Sequence, residues 1–370
     1  MRKTYPVYLS TLFLGFHYAF VIYINSSYLS KFMGQKTISI LYVAGALLNI
    51  LLLSIIPKII KKLGTKPLSL FVVIIQFFIV YNLSHASSAV SAGILFIAQQ
   101  GFGLMMLYCM DLFLEAALTS EKNTGSNRAI FTTTLSLAVV VSFFIISRIV
   151  DNGNFSPIYI LSAMMLIPVI LILSFDFNEY KHKKEIVSLG QAWQFIKKDK
   201  DILRILVSNL SLQFFYAIMI IYLPILLHNK IGFTWENVAL ILTIMVIPFV
   251  LIEIPVGKIM DKKTGEKEFL FLGFIIMAFG AFIIPTLNYA SFVLWASLLF
   301  FSRIGAAFVE IGNESYFFKK IDEHHPSLVS IFRATQSLSF VLAPVVAFIF
   351  LYFSEYPNLF YILALTCLLS

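Results

Sequence analysis

The feature that most constrains this chain is a series of apolar runs, each long enough to cross a lipid bilayer. A helix needs about 20 mostly apolar residues to span the hydrocarbon core. The sequence contains twelve such runs, near residues 7–28, 37–57, 68–84, 89–114, 129–149, 157–175, 203–227, 235–256, 269–287, 290–315, 328–353 and 357–370. Strands of a membrane barrel would be about ten residues long and would alternate in polarity, but runs such as Leu47–Ile56 and Leu135–Ile146 show no alternation. We therefore predict an all-α integral membrane protein with twelve transmembrane helices.

The composition excludes most soluble classes of protein. Only 12% of the 370 residues are charged and 59% are hydrophobic, whereas a soluble domain has about 25% charged residues. Both cysteines, Cys109 and Cys367, lie in apolar runs, so neither a disulfide framework nor a zinc site is expected. The sequence also lacks the phosphate-binding loop of ATPases and the common hydrolase and metalloprotease motifs. We therefore expect neither an enzyme nor a bound cofactor or metal.

The distribution of basic residues predicts the orientation of the helices. The chain has 27 Lys and Arg against 19 Asp and Glu, a formal charge of +8. If the N-terminus is cytoplasmic, 22 basic residues fall on that side and four on the other, while Arg303 lies within a span. Such residues concentrate on the cytoplasmic side of membrane proteins. We expect a multi-pass protein of the cytoplasmic (inner) membrane with a cytoplasmic N-terminus, and the excess charge does not indicate a nucleic-acid partner.

The twelve runs form two groups of six. A polar stretch separates them, which predicts an N-terminal six-helix bundle at 1–175, a cytoplasmic central loop at 176–201 and a C-terminal six-helix bundle at 202–370. The final run has only 14 residues, which is short for a crossing. Either the sequence is truncated there or the last helix ends inside the bilayer.

The two groups also resemble each other residue by residue, which indicates an internal repeat. The matching residues are separated by 198 to 201 positions. In the first half they include Phe16, Tyr18, Ala19, Gly34, Lys58, Gly64, Asp111, Glu115 and Ile130-Phe131. Because six spans is an even number, the second copy enters the membrane in the same direction as the first. We predict two parallel repeats related by an axis along the membrane normal.

The turn after the eighth span carries the most specific motif. It reads Gly257-Lys258-Ile259-Met260-Asp261-Lys262-Lys263-Thr264-Gly265-Glu266-Lys267. This resembles the signature loop of the major facilitator superfamily, Gly-x-x-x-Asp-Arg/Lys-x-Gly-x-Arg/Lys, with one extra residue before the second glycine. The equivalent loop after the second span, Pro57–Lys66, keeps Gly64 and the basic residues but has proline for the first glycine and Lys61 for the aspartate. With the spans, the central loop and the repeat, the resemblance covers essentially the whole chain.

The residue types in this loop have a physical logic. Glycines such as Gly257 and Gly265 allow close helix approach and tight turns. Asp261 can cap or face the positive end of a neighbouring helix, and Lys262 and its basic neighbours can anchor to anionic lipid. The resemblance implies that such loops latch the two halves together when the cytoplasmic side is closed. The alternative is that they only determine topology.

Ionisable residues inside the spans are the next candidates, because such residues are costly in a membrane and often mark functional sites. On the tenth span Arg303, Glu310 and Glu314 fall on one helical face. The two glutamates lie near the predicted cytoplasmic end, next to Asp261 and Arg333. We interpret this cluster as a salt-bridge gate, with carboxylates paired to arginines across a movable interface.

The first half repeats the arrangement with Asp111, Glu115 and Arg128, which we interpret as a second gate. Glu253 lies one turn before Gly257 and is expected to join the second cluster. The alternative for both clusters is static ion pairing that fixes the packing of the helices.

A further set of polar residues lies on the first, fourth, seventh and tenth helices, which the resemblance places around a central cavity. The set comprises His17, Tyr18, Gln99, Gln100, Asn209, Gln213, Tyr216 and Arg303, and we expect these residues to bind the substrate. Arg303 has no carboxylate one turn away, so it binds an anionic group of the substrate or pairs with a carboxylate elsewhere. His17 makes an interhelical hydrogen bond or carries a coupling proton.

The favoured function is a secondary active transporter, a monomer in the lipid bilayer that moves a small solute by alternating access, coupled to a proton or another ion. The alternative is a transporter-fold protein without transport, acting as a membrane receptor or assembly partner. The departure of the first loop from the motif and the short last span suggest that alternative. A membrane-embedded transferase would need a polar catalytic cluster near one interface, whereas the acidic residues here match the expected gate positions.

Overall fold

All regular structure in the described part of the chain is helical. The computed structural model describes residues 4–22, 24–118, 124–149, 155–177, 189–262, 265–321 and 326–370. The α-helices are α1 (Tyr5–Ile22), α2 (Asn25–Leu29), α3 (Gln35–Leu63), α4 (Thr65–Leu83), α5 (Ala89–Ala117), α6 (Thr124–Ile149), α7 (Ser156–Met164), α8 (Leu166–Phe175), α9 (Leu189–Lys198), α10 (Lys200–Ile225), α11 (Trp235–Lys262), α12 (Glu266–Ile283), α13 (Phe292–Lys320), α14 (Pro326–Phe353) and α15 (Leu359–Leu368). A π-helix, Leu226–Lys230, continues α10. The prediction of an all-α protein is confirmed.

The helices have the length and composition of membrane spans. Within the described residues, eleven helical segments are long and apolar enough to cross a bilayer. One of them, Ser156–Phe175, is formed by α7 and α8 together, and a shorter apolar segment, Tyr356–Leu368, stands where the last span was predicted. Large apolar side chains such as Phe71 and Phe271 are exposed on these helices, as expected where the solvent is lipid. The chain is a multi-pass membrane protein.

Two segments differ from the sequence prediction. The first predicted span, 7–28, is divided between α1 and the short helix α2. The polar stretch at 176–201 contains α9, in which Ala192 and Ile196 are buried and Trp193 is exposed. A helix of this length is too short to be recognised as a span, yet its apolar stripe still packs against the protein. Residues 178–188 of the predicted central loop lie outside the described residues.

The turn between α3 and α4 depends on a glycine. Gly64 alone separates the two helices, with a φ of +88° and a ψ of 166°. This backbone region is open essentially only to glycine. The glycine of the first loop therefore makes a tight turn, as the logic of the motif predicts.

Side chains satisfy helix ends that would otherwise leave backbone groups without partners. Asp199 caps α10 through its carboxylate, which accepts hydrogen bonds from two backbone N–H groups of the first turn, at 3.0 and 3.3 Å. Lys66, the last residue of the first loop, donates to the carbonyl oxygens of Ser174 (3.0 Å) and Phe177 (2.7 Å) at the end of α8. These contacts fix where α8 ends and α10 begins.

The described residues form two compact units. The first comprises Met1–Thr119, Leu137–Lys198 and Ile321–Ser337, and the second comprises Ser120–Ser136, Asp199–Lys320 and Leu338–Ser370. The start of α6 thus packs within the second unit, and the start of α14 packs within the first. Each sequence half contributes one helix start to the unit built mainly from the other half. The predicted bundles at 1–175 and 202–370 stay a prediction.

Each unit has its own apolar core. In the first unit, Phe20, Phe96 and Tyr159 belong to one buried cluster built from several helices. The second unit contains a smaller cluster that includes Ala129 of α6 and Ile311 of α13. The start of α6 is therefore held in the second unit by apolar packing as well as by polar contacts.

We predict that Gly64→Ala destabilises the protein by about 1–3 kcal/mol, because alanine is strained at this φ and ψ. The check is the thermal unfolding midpoint of the purified protein in detergent, which should fall. Gly34→Ala is the matched control, since Gly34 has a φ of −75° and nothing within 4 Å of an added Cβ. Equal midpoints for Gly64→Ala and Gly34→Ala would contradict the backbone argument.

Candidate functional site

The signature-loop aspartate caps the start of α6. Asp261, near the end of α11, accepts hydrogen bonds from the backbone N–H groups of Gly125 (3.1 Å) and Ser126 (2.8 Å), and from the Ser126 hydroxyl (2.9 Å). N–H groups in the first turn have no partner within the helix, and the positive end of the helix dipole adds to the attraction. Lys319 Nζ lies 3.0 Å from the Asp261 carboxylate and 2.6 Å from that of Glu266. Asp261 therefore connects the second sequence half to a helix of the first.

Gly257 marks a close approach between α11 and α6. A Cβ atom at Gly257 would lie 2.6 Å from the Gly125 carbonyl oxygen and 2.7 Å from the Ala129 Cβ. Only glycine fits such a backbone contact. The buried apolar cluster beside this contact consists of Ala129, Val256, Met260 and Ile311.

In the first unit, an arginine and an aspartate form a two-pronged ion pair. Arg333 Nε donates to Asp111 Oδ2 at 2.6 Å, and Arg333 Nη2 donates to Asp111 Oδ1 at 2.8 Å. The Asp111 side chain is fully buried, and that of Arg333 is 11% exposed. Bidentate arginine–carboxylate pairs are among the strongest polar contacts in proteins. This pair joins α5 of the first sequence half to α14 of the second.

In the second unit, Arg128 forms the reciprocal pair. Its Nη1 lies 3.6 Å from Glu314 Oε2, and both side chains are buried. The guanidinium also lies over the ring of Phe318, a cation–π contact that gains strength where water is excluded. The pair joins α6 of the first half to α13 of the second.

These partners correct the grouping expected from sequence. Arg333 was placed with Glu310 and Glu314, and Arg128 with Asp111. The structure instead pairs Arg333 with Asp111 and Arg128 with Glu314. The physical reason is that the starts of α6 and α14 each pack in the unit built mainly from the other half. Arg128 of α6 therefore lies in the second unit, and Arg333 of α14 lies in the first.

Glu253 on α11 faces α6, and no residue in the described part of the chain forms an ion pair with it. The carboxyl is fully buried, and its Oε2 accepts a hydrogen bond from the Thr133 hydroxyl at 2.9 Å. It therefore belongs to the contact between α6 and α11, one turn beyond Gly257.

A third polar group lies along α10 and α13. The Tyr216 hydroxyl donates to Glu310 Oε2 at 2.6 Å. The Arg303 guanidinium lies 5.2 Å from the ring centroids of both Phe215 and Tyr216, and the side chain is buried. Arg303 thus contacts aromatic rings on a neighbouring helix, α10. The spacing of residues along its own helix, α13, could not predict these contacts.

The family follows from the sequence match. A family model described as Major Facilitator Superfamily matches residues 7–325 and 238–370. The chain belongs to this superfamily. No curated protein matches it in sequence.

Solved structures of this superfamily share the fold. The human organic anion transporter MFSD10 (TETRAN) is similar with a TM-score of 0.81 and 12% identity, covering 100% of this chain and 97% of that one. The proton:xylose symporter XylE, bound to 6-bromo-6-deoxy-D-glucose, is similar with a TM-score of 0.75 and 15% identity, covering 100% of this chain and 93% of that one. At such low identity the likeness is one of fold. The chain is therefore a transporter-family membrane protein with the major facilitator fold.

His17, on α1, makes hydrogen bonds through both nitrogens of its ring. His17 Nε2 lies 3.2 Å from the Gln76 Nε2 amide group, which also donates to the Gln99 carbonyl oxygen at 3.2 Å. His17 Nδ1 lies 2.9 Å from Ser162 Oγ and 3.3 Å from the Ser162 carbonyl oxygen. Because an amide NH2 only donates, Nε2 of His17 accepts and Nδ1 carries the hydrogen. This arrangement favours the interhelical hydrogen-bond hypothesis, and substrate binding by His17 stays a prediction.

The same network continues to another helix. Asn25 Nδ2 donates to Gln99 Oε1 at 3.4 Å, and the Tyr159 hydroxyl donates to Asn25 Oδ1 at 2.7 Å. The network thus joins α1, α2, α4, α5 and α7 inside the first unit. Gln99 is buried in this network. Its side-chain oxygen and its backbone carbonyl both accept hydrogen bonds that hold neighbouring helices together.

The other residues expected to bind substrate lie on the predicted helices with different surroundings. Tyr18 is half-buried beside Gly103, where an added Cβ would lie 2.5 Å from its hydroxyl. The Gln100 backbone carbonyl accepts from Asn49 Nδ2 at 3.0 Å. On α10, Asn209 is buried and Gln213, one turn later, is half-buried.

The remaining residues of the gate prediction lie at helix ends or beside the ion pairs. Glu115 is buried on α5, one turn after Asp111. Lys262 is exposed at the end of α11, and Gly265 is the residue before α12. Residues 263–264 of the motif lie outside the described residues. Among the described residues no group of three His, Cys, Asp or Glu is placed to hold a metal ion.

Several polar partners were not found from sequence. They are Asn25, Gln76, Ser126, Thr133, Ser162 and Lys319. Gln76 gave a usable signal, since it is an amide in the middle of an apolar helix. Thr133 lies in a run of three threonines within a span. Such a run also indicates a polar contact with another helix. The hydroxyl residues at 126 and 162 had no distinguishing pattern.

We predict that removing one partner of the Asp111–Arg333 pair destabilises the protein by about 3–5 kcal/mol, because a buried charge loses its counter-ion. Arg333→Gln should be worse than Asp111→Asn, since the Asp111 side chain is the more deeply buried of the two. The double variant should be less destabilised than the sum of the single variants.

The check is a double-mutant cycle on thermal unfolding of the purified protein. Lys320→Gln is the control, since Lys320 and Asp201 form a solvent-exposed pair at 3.5 Å and such pairs contribute little. Additive losses at positions 111 and 333 would contradict the coupling.

Proposed function

We propose that this chain is a secondary active transporter that moves a small solute by alternating access, coupled to a proton or another ion. We further propose that its halves are parallel repeats and that its N-terminus is on the cytoplasmic side of the inner membrane. The single observation that carries the proposal is the crossed set of contacts at the starts of α6 and α14. Asp261 caps α6, Arg128 pairs with Glu314, and Arg333 pairs with Asp111.

Each of these contacts joins one sequence half to the other. They lie where the distribution of basic residues predicts the cytoplasmic ends of the helices. Charged contacts suit a gate because a buried ion pair adds little net stability over separated, hydrated charges. We propose that these three contacts form together when the cytoplasmic side is closed and separate when it opens.

The proposed substrate is an anionic or zwitterionic solute that contacts the group formed by Arg303 and Tyr216. An arginine held over aromatic rings presents planar donors and an apolar surface side by side. Two structural neighbours support the class of function, since MFSD10 is described as an organic anion transporter and XylE as a proton:xylose symporter.

We predict that purified protein in proteoliposomes takes up or exchanges at least one labelled solute from a panel of organic anions, amino acids and sugars when a proton gradient is imposed. Arg303→Gln should reduce uptake of that solute at least about tenfold, the effect expected from losing about 1.4 kcal/mol of binding. Arg204→Gln is the control, because its side chain is 78% exposed in the second unit. Absence of gradient-dependent flux for every class would count against the proposal.

The second candidate is a receptor or assembly partner that does not transport. The observation that favours it is in the first loop, where Lys61 replaces the aspartate that caps a helix in the second loop. A single cysteine at Gln213, in a background without Cys109 and Cys367, distinguishes the two.

Under the transporter proposal, we predict that this cysteine reacts with membrane-impermeant reagents from one side or from the other, depending on the gradient and solute. A cysteine at exposed Leu251 on α11 controls for reagent access through lipid. Labelling of the Gln213 position from only one side under all conditions would favour the receptor.

A further inference from the structure

Glu253 is a buried acid that contacts no positive charge among the residues the structure describes. Its side chain is fully buried, and its Oε1 atom has no hydrogen-bond partner among the described residues. Its Oε2 atom accepts from the Thr133 hydroxyl at 2.9 Å. Nowhere in the described part of the chain does a lysine or arginine form an ion pair with it.

Glu253 has two further carboxyls among its neighbours. Glu310 and Glu314 on α13 act on it as neighbouring negative charges, and Tyr216 on α10 is within electrostatic range of it. Two arginines of this unit contact other groups: Arg128 pairs with Glu314, and Arg303 lies over the rings of α10. The carboxyls of Glu310 and Glu314 disfavour a further negative charge on Glu253.

Water is excluded from Glu253 by the contact between α6 and α11. Gly257 lies one helical turn from Glu253 on α11, where the backbones of the two helices meet at Gly125. A buried apolar cluster surrounds the same contact and consists of Ala129, Val256, Met260 and Ile311. An ionised Glu253 would therefore have neither water nor a cation to stabilise its charge.

We infer that Glu253 binds a proton while α6 is packed against α11 and releases it when the two helices separate. Separation removes the Thr133 hydroxyl and admits water to the carboxyl. The O–H bond of the acid then breaks, the proton passes to a water molecule and on to bulk solvent, and the carboxylate is hydrated. Closure reverses these steps, so the contact between α6 and α11 and the proton stabilise each other.

This inference rests on the proposed function only for its use in transport, where Glu253 would take up or release the coupling proton as the Asp261 cap forms or breaks. The protonation itself is a property of the closed contact. It can be tested in the reconstituted full chain without knowledge of the solute.

The first test is infrared spectroscopy of the reconstituted protein at neutral pH, reading the carbonyl stretch of protonated carboxylic acids. The wild-type spectrum should contain such a band that is absent from Glu253→Gln. Glu268→Gln is the matched control, since Glu268 is an exposed acid on α12, and it should leave the band unchanged. Identical bands in wild type and Glu253→Gln would overturn the inference, because Glu253 would then be ionised.

The second test separates the helices while keeping Glu253. Gly257→Leu should force α6 away from α11 and convert the Glu253 band to that of a carboxylate. If this variant does not fold, Ala129→Leu is the alternative, because a larger side chain on α6 should separate the same two helices. Gly101→Leu in the first unit controls for general disruption, because the three atoms nearest to an added Cβ there belong to the flexible Leu48 and Leu52 side chains.

The outcomes separate this inference from the proposed function. A Glu253 band that persists unchanged in a folded Gly257→Leu or Ala129→Leu variant would overturn the link to the helix contact. A band that is lost there, in a protein that shows no solute flux, would retain the proton site and remove the transport proposal.

Discussion

The lipid interior offers no hydrogen-bond partner to a polar group, so a polar group in a membrane span is costly unless it is satisfied within the protein. Several polar side chains of this chain are satisfied in this way. Arg333 uses two nitrogens on both oxygens of Asp111, and His17 uses both ring nitrogens on separate helices. These contacts determine which helices can lie together, because apolar packing alone distinguishes poorly between neighbours when lipid is as apolar as the helices.

The spans and their glycines could be predicted from the sequence because both depend on local properties. The length of an apolar run decides whether it can cross a bilayer, whatever the run packs against. Gly64 is required by its own backbone angles. Gly257 also had a local signal, its place in the loop motif, although the backbone it approaches lies on another helix.

The partners of the charged residues could not be predicted, because spacing along one helix says nothing about the helix opposite. Asp111 and Arg333 are separated by 222 positions, and they meet because the start of α14 packs in the first unit. Sequence grouped each arginine with the nearest acids and therefore exchanged the partners. The partners of His17 could not be predicted for the same reason, since the amide of Gln76 is visible in the sequence but the groups opposite it on other helices are not.

The position of each polar group along its helix bears on what it can do. A contact at a helix end can break because bulk water replaces the lost partner, and the Asp261 cap and the two ion pairs lie toward helix ends. A network at mid-helix, such as the one around His17, would leave buried groups unsatisfied on opening and is better suited to holding a unit rigid. Glu253 lies between these cases, inside a span but one turn from the Gly257 contact. Its charge can be neutralised by a proton in the closed arrangement and stabilised by water in the open one, so it needs no cation as a partner in either.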